Sequence, residues 1–520
     1  MGCASDKTIS VLYTSISMGN VISLSPPTNH ESMSPALLFC VVIVYFALLL
    51  GVARFTSRHA DNESFFIGNR NSNWMLVAFG MVGTSLSGVT FISVPGAVGS
   101  SAFTYFQIVI GQLLGYFVIA FVLLPVYYRL NLTSIYHYLD ARLGPRAYKT
   151  GAGFFVLSRT LGAPARLYLV VKILQDAILD GLLVPFWLTA LVILVMILLY
   201  TYEGGVKTIV WTDTLQTACM LAGLVICVGY VLDGLQLSPA ESLAQLHDRG
   251  LSTIFSTEVN SAKFFVKQIL AGVFIAIAMT GLDQEMMQKN ISVKRLADSQ
   301  KNIVTLSIIM VGVVLLFLYL GGLLTLYAPG VGVTETGDRI FPAVVLGHLP
   351  AMVQVIFVIA LISALFPSAD GAITALTSSF CIDILGINRR GDMNEAQRKH
   401  LRHRVHIGFA LLFLLMVMVF KWADNPSMIG LILKLAGYTY GPLLGLFAFG
   451  ILTQRVARDR LIPFIAVAAP IICFFIDKYQ AALFGTYEIG LELLIINGLL
   501  TFAGLWLVSS RYREGGEPVA

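Results

Sequence analysis

Gly80-Met81-Val82-Gly83-Thr84-Ser85-Leu86-Ser87-Gly88-Val89-Thr90-Phe91-Ile92-Ser93-Val94-Pro95-Gly96 is apolar enough for a membrane yet wrong for a simple helix. Glycines and hydroxylated side chains recur through it, and a proline stands near its end. Small residues of this kind let membrane helices pack closely. They also let a helix break, and broken backbone survives in hydrocarbon only where it is buried in protein or lines a cavity. A second stretch of the same texture runs from Gly272 to Gln284, five spans downstream. Two such segments at the heads of consecutive five-helix blocks predict an inverted repeat with helices broken near the bilayer midplane. A break exposes carbonyls that replace a cation's hydration shell and N–H groups that meet an anion.

The rest of the chain agrees with a membrane protein. Of its 520 residues 57% are hydrophobic and 12% charged, with mean hydropathy +0.80. A soluble domain carries about 25% charge. Apolar runs at 35–53, 74–95, 103–125, 148–175, 182–200, 206–232, 263–281, 303–328, 350–385, 403–420, 427–451, 461–477 and 488–509 predict thirteen spans, each near the ~20 residues a bilayer needs. The net charge of +5 is scattered over short loops, which excludes a nucleic-acid patch. The longest outer loop, 233–262, is too short for a soluble catalytic domain. Cys40, Cys219, Cys227, Cys381 and Cys473 lie in apolar segments and Cys3 stands alone near the start. That spacing gives neither a disulfide framework nor a zinc site. The eight histidines cluster in loops, with His403 and His406 at a span edge, and no nucleophile–base pair appears. An enzyme is not expected.

Basic residues set the orientation, because cytoplasmic loops retain Lys and Arg. With the N-terminus outside, 23 of the 34 basic residues fall in inner segments and six in outer ones, in strict alternation. Thirteen spans then place the C-terminus in the cytoplasm and the protein in the plasma (inner) membrane. Residues 1–33 are polar and Ser-rich, without the order of a secretory signal. They are expected to be disordered or a mis-assigned start, with Met33 as the true one. The expected organisation is 34–73 for the first span and its cytoplasmic loop, 74–451 for the transport core, and 452–520 for two accessory spans and a short tail.

Four further motifs converge. The fifth and sixth spans are joined by Tyr200-Thr201-Tyr202-Glu203-Gly204-Gly205-Val206, followed by Trp211-Thr212-Asp213 and Gln216. The seventh ends in Gly281-Leu282-Asp283-Gln284-Glu285-Met286-Met287-Gln288-Lys289. The ninth carries Ala364-Leu365-Phe366-Pro367-Ser368-Ala369-Asp370-Gly371 and the eleventh Gly437-Tyr438-Thr439-Tyr440-Gly441-Pro442. Nearly the whole chain resembles the sodium/solute symporter family, which includes bacterial sodium/galactose, sodium/proline and sodium/sialic acid transporters. Val206 departs from the Leu, Met or Phe usual there.

The resemblance implies an all-α membrane protein with a five-plus-five inverted-repeat (LeuT-like) core, alternating access, and sodium as the coupling ion. Carried over by position, sodium is held by the carbonyls of Gly83, Leu86 and Ala364 and the hydroxyl of Ser368. Hard oxygen donors suit a hard cation. Pro367 replaces a second hydroxyl of the family. It frees the carbonyl of Ser363 from its helical partner, which either serves as a ligand or marks a plain kink. Ser87, Thr90 and Phe91 fall at substrate positions, in a pattern closer to the sialic acid transporters than to the galactose ones. Gln107 and Gln112 are candidate polar contacts on the third span. Gln284 and Tyr438 are expected at gates. Met279 stands where sugar transporters place an aromatic gate.

Arg159 and Arg166, both candidate contacts for an anionic solute, are seven residues apart and share a helix face; the other reading of Arg166 is that it snorkels outward like Lys172. Arg159 lies about 16 Å from the cytoplasmic end of its span at 1.5 Å per residue. Arginine at that depth costs about 2.5–3.5 kcal/mol, so it needs Asp213, another carboxylate or a bound anion. A second cation site in relatives uses the Asp of Trp-Thr-Asp, here Asp213, with hydroxyls at positions that are Pro367, Asp370 and Gly371 in this chain. One sodium per solute is therefore expected, with Asp370 salt-bridged or protonated; a cap on a local bend is the other reading. The expectation is a sodium-coupled importer of a small polar solute, carboxylate-bearing (sialic, amino or organic acid), acting as a monomer. The alternatives are a sodium/sugar symporter, a proton-coupled carrier, or a solute sensor, for which the tail after Leu507 is too short to hold an output module.

Overall fold

The structure is a computed structural model that describes residues 34–56, 65–66, 68–389, 393–423 and 427–510. The expectations for 1–33 and for the tail beyond 510 lie outside the described residues. The fold is almost entirely helical: α1 Pro35–Thr56, α2 Trp74–Ser101, α3 Phe106–Arg129, α4 Pro145–Leu174, α5 Phe186–Tyr202, α6 Gly205–Leu235, α7 Phe265–Gly281, α8 Gln284–Ile291, α9 Leu296–Tyr327, α10 Ala351–Ser379, α11 Glu395–Ala423, α12 Met428–Leu452, α13 Ile462–Lys478 and α14 Leu493–Leu507. Among the described residues ten helices are long and apolar enough to cross a membrane, and the bent pair α7–α8 makes eleven. The shorter apolar helices α5 and α14 occupy the fifth and thirteenth predicted segments.

Both interruptions foreseen in the chain occur. In α2 the helix breaks at Ser87, whose φ of 46° and ψ of 163° lie outside helical space. Between α7 and α8 the axis turns by 64° at Leu282 and Asp283. Asp283 makes the second turn stable by capping α8, its Oδ1 accepting from the N–H groups of Glu285 at 3.0 Å and Met286 at 3.3 Å. Gly205 separates α5 from α6 with φ of 50°, and a Cβ there would lie 2.6 Å from the Phe65 backbone. That is the physical reason for a glycine after Gly204 in the joining motif.

Small residues also bring the halves together. A Cβ on Gly111 of α3 would lie 2.0 Å from the Ile269 carbonyl, and one on Gly272 of α7 would lie 2.2 Å from that of Ile108. The two backbones therefore touch. Around them α2 packs on α9, α10 on α6, and α12 on α4 and α14. The last accessory helix is tied by a two-residue antiparallel ladder, Val456–Ala457 with Ser509–Ser510.

Candidate transport site

The break in α2 faces α10. A Cβ on Gly83 would lie 3.6 Å from Pro367, and one on Gly88 would lie 3.7 Å from the Cα of Leu365. The segment 83–88, with its interrupted backbone, thus abuts the turn 364–368. Ser368 is 2% exposed, and its hydroxyl donates to the Leu365 carbonyl at 2.8 Å, leaving its lone pairs available. Ser363 turns its own hydroxyl away, donating to Ile359 at 2.6 Å and meeting the Tyr45 hydroxyl at 2.6 Å. Of the expected sodium ligands Gly83 thus lies against Pro367, while Leu86 belongs to the α2 segment and Ala364 and Ser368 to the facing α10 segment; carbonyls and a hydroxyl are the donors that a hard cation takes.

On the other side of the break is a cavity of about 100 Å³ lined by Ser87, Thr90, Gln112, Arg166, Met279 and Thr280, with Arg159 at its wall. The volume is below the ~300–1,000 Å³ of a ligand pocket. Phe91 does not line this cavity. It is fully buried in an aromatic cluster with Phe317, Phe341 and Phe357, because one position past Thr90 is about 100° further round the helix. Gln107 lies away from it too, donating to the carbonyls of Thr104 at 3.0 Å and Lys263 at 3.4 Å.

Of the two residues expected at gates, Gln284 joins the break between α7 and α8 to the 133–135 loop, accepting from the Ile135 N–H at 3.0 Å and donating to the Thr133 carbonyl at 3.1 Å. Tyr438 faces the accessory helix α13, where its hydroxyl donates to Asp477 at 2.7 Å beside the Lys434–Asp477 ion pair. The cavity wall from α12 is instead Ile429, Ile432 and Leu433.

A buried charge network runs beneath the cavity. Arg159 grips Asp283 bidentately, Nε to Oδ2 and Nη2 to Oδ1, both at 2.7 Å, and the Tyr440 hydroxyl donates to the same Oδ2 at 2.6 Å. Glu285 Oε2 lies 3.1 Å from Arg159 Nη2. Lys289 Nζ sits 2.7 Å from both Asp213 Oδ2 and Thr84 Oγ1, and Thr84 donates to Asp213 Oδ2 at 3.1 Å. Asp370 accepts from the Tyr200 hydroxyl at 2.7 Å and from the Gly371 N–H.

This settles which partner the deep arginine takes. Arg159 is matched by Asp283, not Asp213, whereas Arg166 makes no ion pair among the described residues and faces the cavity. Asp213 is matched by Lys289, which the charge count above had placed in an inner loop and which is 3% exposed inside the core. Sequence reading assigned no role to Thr84, Asp283, Glu285, Lys289 or Tyr440. The signal was available in Asp283, Glu285 and Lys289, three charges within seven residues of a helix break.

The sodium:solute symporter family profile matches residues 65–459. The sodium/sialic acid symporter SiaT of Proteus mirabilis is 24% identical, over 89% of this chain and 94% of that protein. The sodium/sialic acid symporter NanT of Aliivibrio fischeri is 22% identical, over 84% of this chain and 86% of that protein. The human sodium/iodide cotransporter is 29% identical over 49% of this chain and 39% of its own length. Among solved structures, a Na+-coupled sialic acid symporter in a substrate-bound outward-open state superposes with a TM-score of 0.78 at 19% identity, covering 91% of this chain and 97% of the other. Mhp1, a nucleobase-cation-symport-1 family transporter, gives 0.58 at 15% identity over 86% and 94%.

Proposed function

We propose, from the premise that this chain belongs to the sodium:solute symporter family, that its solute carries a carboxylate and enters with one sodium ion. Sodium-coupled solute import, by a carrier and not an enzyme, comes with the family; the solute class, the stoichiometry and the orientation are our reading. The observation that carries it is Arg166. It is a guanidinium without an ion-pair partner among the described residues, lining the cavity beside Ser87 and Thr90. A guanidinium with no ion pair of its own has its planar fork of N–H donors open, and a bound carboxylate fills it through a bidentate pair. Ser87, Thr90 and Gln112 offer the remaining polar contacts.

Two of the relatives are named for sialic acid, itself a carboxylate, and one for iodide, also an anion. Sodium at the α2–α10 junction lies within a turn of the same break, which couples ion to solute through one element. The 74–451 core carries this machinery, flanked by α1 and by the accessory spans of 452–520. The N-terminus lies outside and the C-terminus in the cytoplasm of the plasma (inner) membrane.

Reconstituted liposomes with an inward sodium gradient, offered sialic acid, monocarboxylates, amino acids and neutral sugars, test this directly. Carboxylate uptake is expected with sodium and not with potassium. Arg166→Lys is expected to lose most of it, because an ammonium cannot make the planar fork. Sodium-driven uptake of a neutral sugar alone, unchanged in Arg166→Lys, refutes the solute class.

A further inference from the structure

We infer that Thr217 of α6 supplies a further oxygen ligand to the coupling sodium, from a helix outside the expected ligand set. The inference deepens the reading that sodium sits at the α2–α10 junction and rests on it.

That junction is short of donors. On its α10 side the side chain that reaches Gly83 is Pro367, whose ring carries no oxygen. Ser368 adds one hydroxyl, already donating its proton to Leu365 and open only through its lone pairs. Together with the carbonyls of Gly83, Leu86 and Ala364 it falls short of the ~6 oxygens that a hard cation gathers.

Thr217 faces the same place from a third helix. α6 lies against α2, where Gly80 meets Asp213 and Thr214, and against α10, where Gly223 meets Ala360. A Cβ on Gly83 would collide with the Thr217 hydroxyl oxygen, and that same point lies 3.6 Å from the Cγ of Pro367. The missing side chain at Gly83 therefore admits the Thr217 hydroxyl against the α2 backbone, at the spot that the proline ring also touches. Thr217 is fully buried there.

The way this hydroxyl is used sets it apart. A threonine inside a helix can return its proton to the carbonyl one turn earlier. Its neighbours on α6 do so, Thr212 donating to Thr208 at 3.3 Å and Thr214 to Val210 at 2.7 Å. Thr377 of α10 and Thr439 of α12 follow the same pattern, at 2.7 and 2.9 Å. Thr217 does not: its Oγ1 is buried with no hydrogen-bond partner and points off its own helix toward Gly83. A buried polar atom left without a partner is unfavourable. Beside the carbonyls of a broken helix and a second buried hydroxyl, the partner that its lone pairs fit is a cation.

Asp213, one turn earlier on α6, is matched by Lys289 at 2.7 Å. The shell at the junction is then built of neutral oxygens, and its preference for sodium rests on their number and spacing. An ion held this way clasps α2, α6 and α10 at once, so its arrival ties the broken span to both of its neighbours.

Binding of radiolabelled sodium to the purified protein in detergent, with no solute present, tests this apart from transport. Thr217→Val keeps the shape of the side chain and removes its oxygen. It is expected to raise the sodium concentration for half-saturation about tenfold or more, and Thr217→Ser to stay within about threefold of wild type. The melting temperature of Thr217→Val in sodium-free buffer is expected to be unchanged or higher, since the hydroxyl has no protein partner to lose. A lower sodium-free melting temperature together with wild-type sodium affinity makes the hydroxyl structural and overturns the proposal. Ser368→Ala is the control for the junction itself. Weakened binding in Ser368→Ala beside wild-type binding in Thr217→Val overturns the role of Thr217 and leaves the junction site standing. Wild-type binding in both variants takes sodium away from the junction, and both readings fall.

Discussion

Arg159 and Arg166 stand seven residues apart on α4, with the same side chain and on the same helix face, yet the fold gives them different surroundings. One is neutralised by Asp283 and the other lines the cavity. Helical spacing places both on one face, but a partner that arrives from another span 124 residues away is not readable from that spacing. Arg159→Leu is expected to destabilise the protein by about 3–5 kcal/mol, since it leaves Asp283 buried and unpaired. Adding Asp283→Asn is expected to return part of that loss, as thermal unfolding in detergent would register. If sodium binds as proposed, Ser368→Ala removes one of its hydroxyl ligands, worth about 1.5–3 kcal/mol. The sodium concentration for half-maximal uptake is therefore expected to rise about tenfold or more, with the melting temperature little changed. An unaltered sodium requirement would place the ion elsewhere.

At the scale of elements, the breaks matter more than the helices. Ser87 holds a positive φ that glycine adopts freely. Ser87→Gly is therefore expected to keep the fold and its melting temperature within about 1 kcal/mol, while solute affinity falls through loss of the hydroxyl. A bulky residue at Gly111 or Gly272 has no such latitude, because the facing carbonyls leave no room for a Cβ. Gly111→Leu is expected to prevent α3 and α7 from docking and to abolish folded protein in size-exclusion chromatography. Gly-rich texture announced both broken spans in the sequence. The π-turn at Ile277–Gly281 and the capping of α8 by Asp283 needed the structure, since a cap is defined by where the chain turns.

For the whole molecule, the proposed stoichiometry of one sodium per solute is the property to test, with Lys289 paired to Asp213 where relatives place a second ion. Sodium titrations of initial uptake are expected to give a Hill coefficient of about one, and the ratio of sodium to solute flux should agree. A coefficient near two that falls in Asp213→Asn would show that Lys289 gives way to an ion. Orientation is tested by single cysteines labelled from outside: the 233–262 loop is expected to react in intact cells and the 126–149 segment only after permeabilisation.

The chain by itself determined that this is a membrane protein, roughly where its helices run, and which two of them break. Those properties depend on apolar length, charge bias and local backbone chemistry, all of which are written in contiguous residues. Only the tertiary structure decided which buried charges face one another. Lys289 reads as a loop cation and Glu285 as an unremarked neighbour of Gln284, until the turn at Leu282 and Asp283 carries both under the cavity, against Asp213 and Gly371. The physical reason is that a buried charge takes its meaning from its partner, and partners here come from spans far apart in the chain.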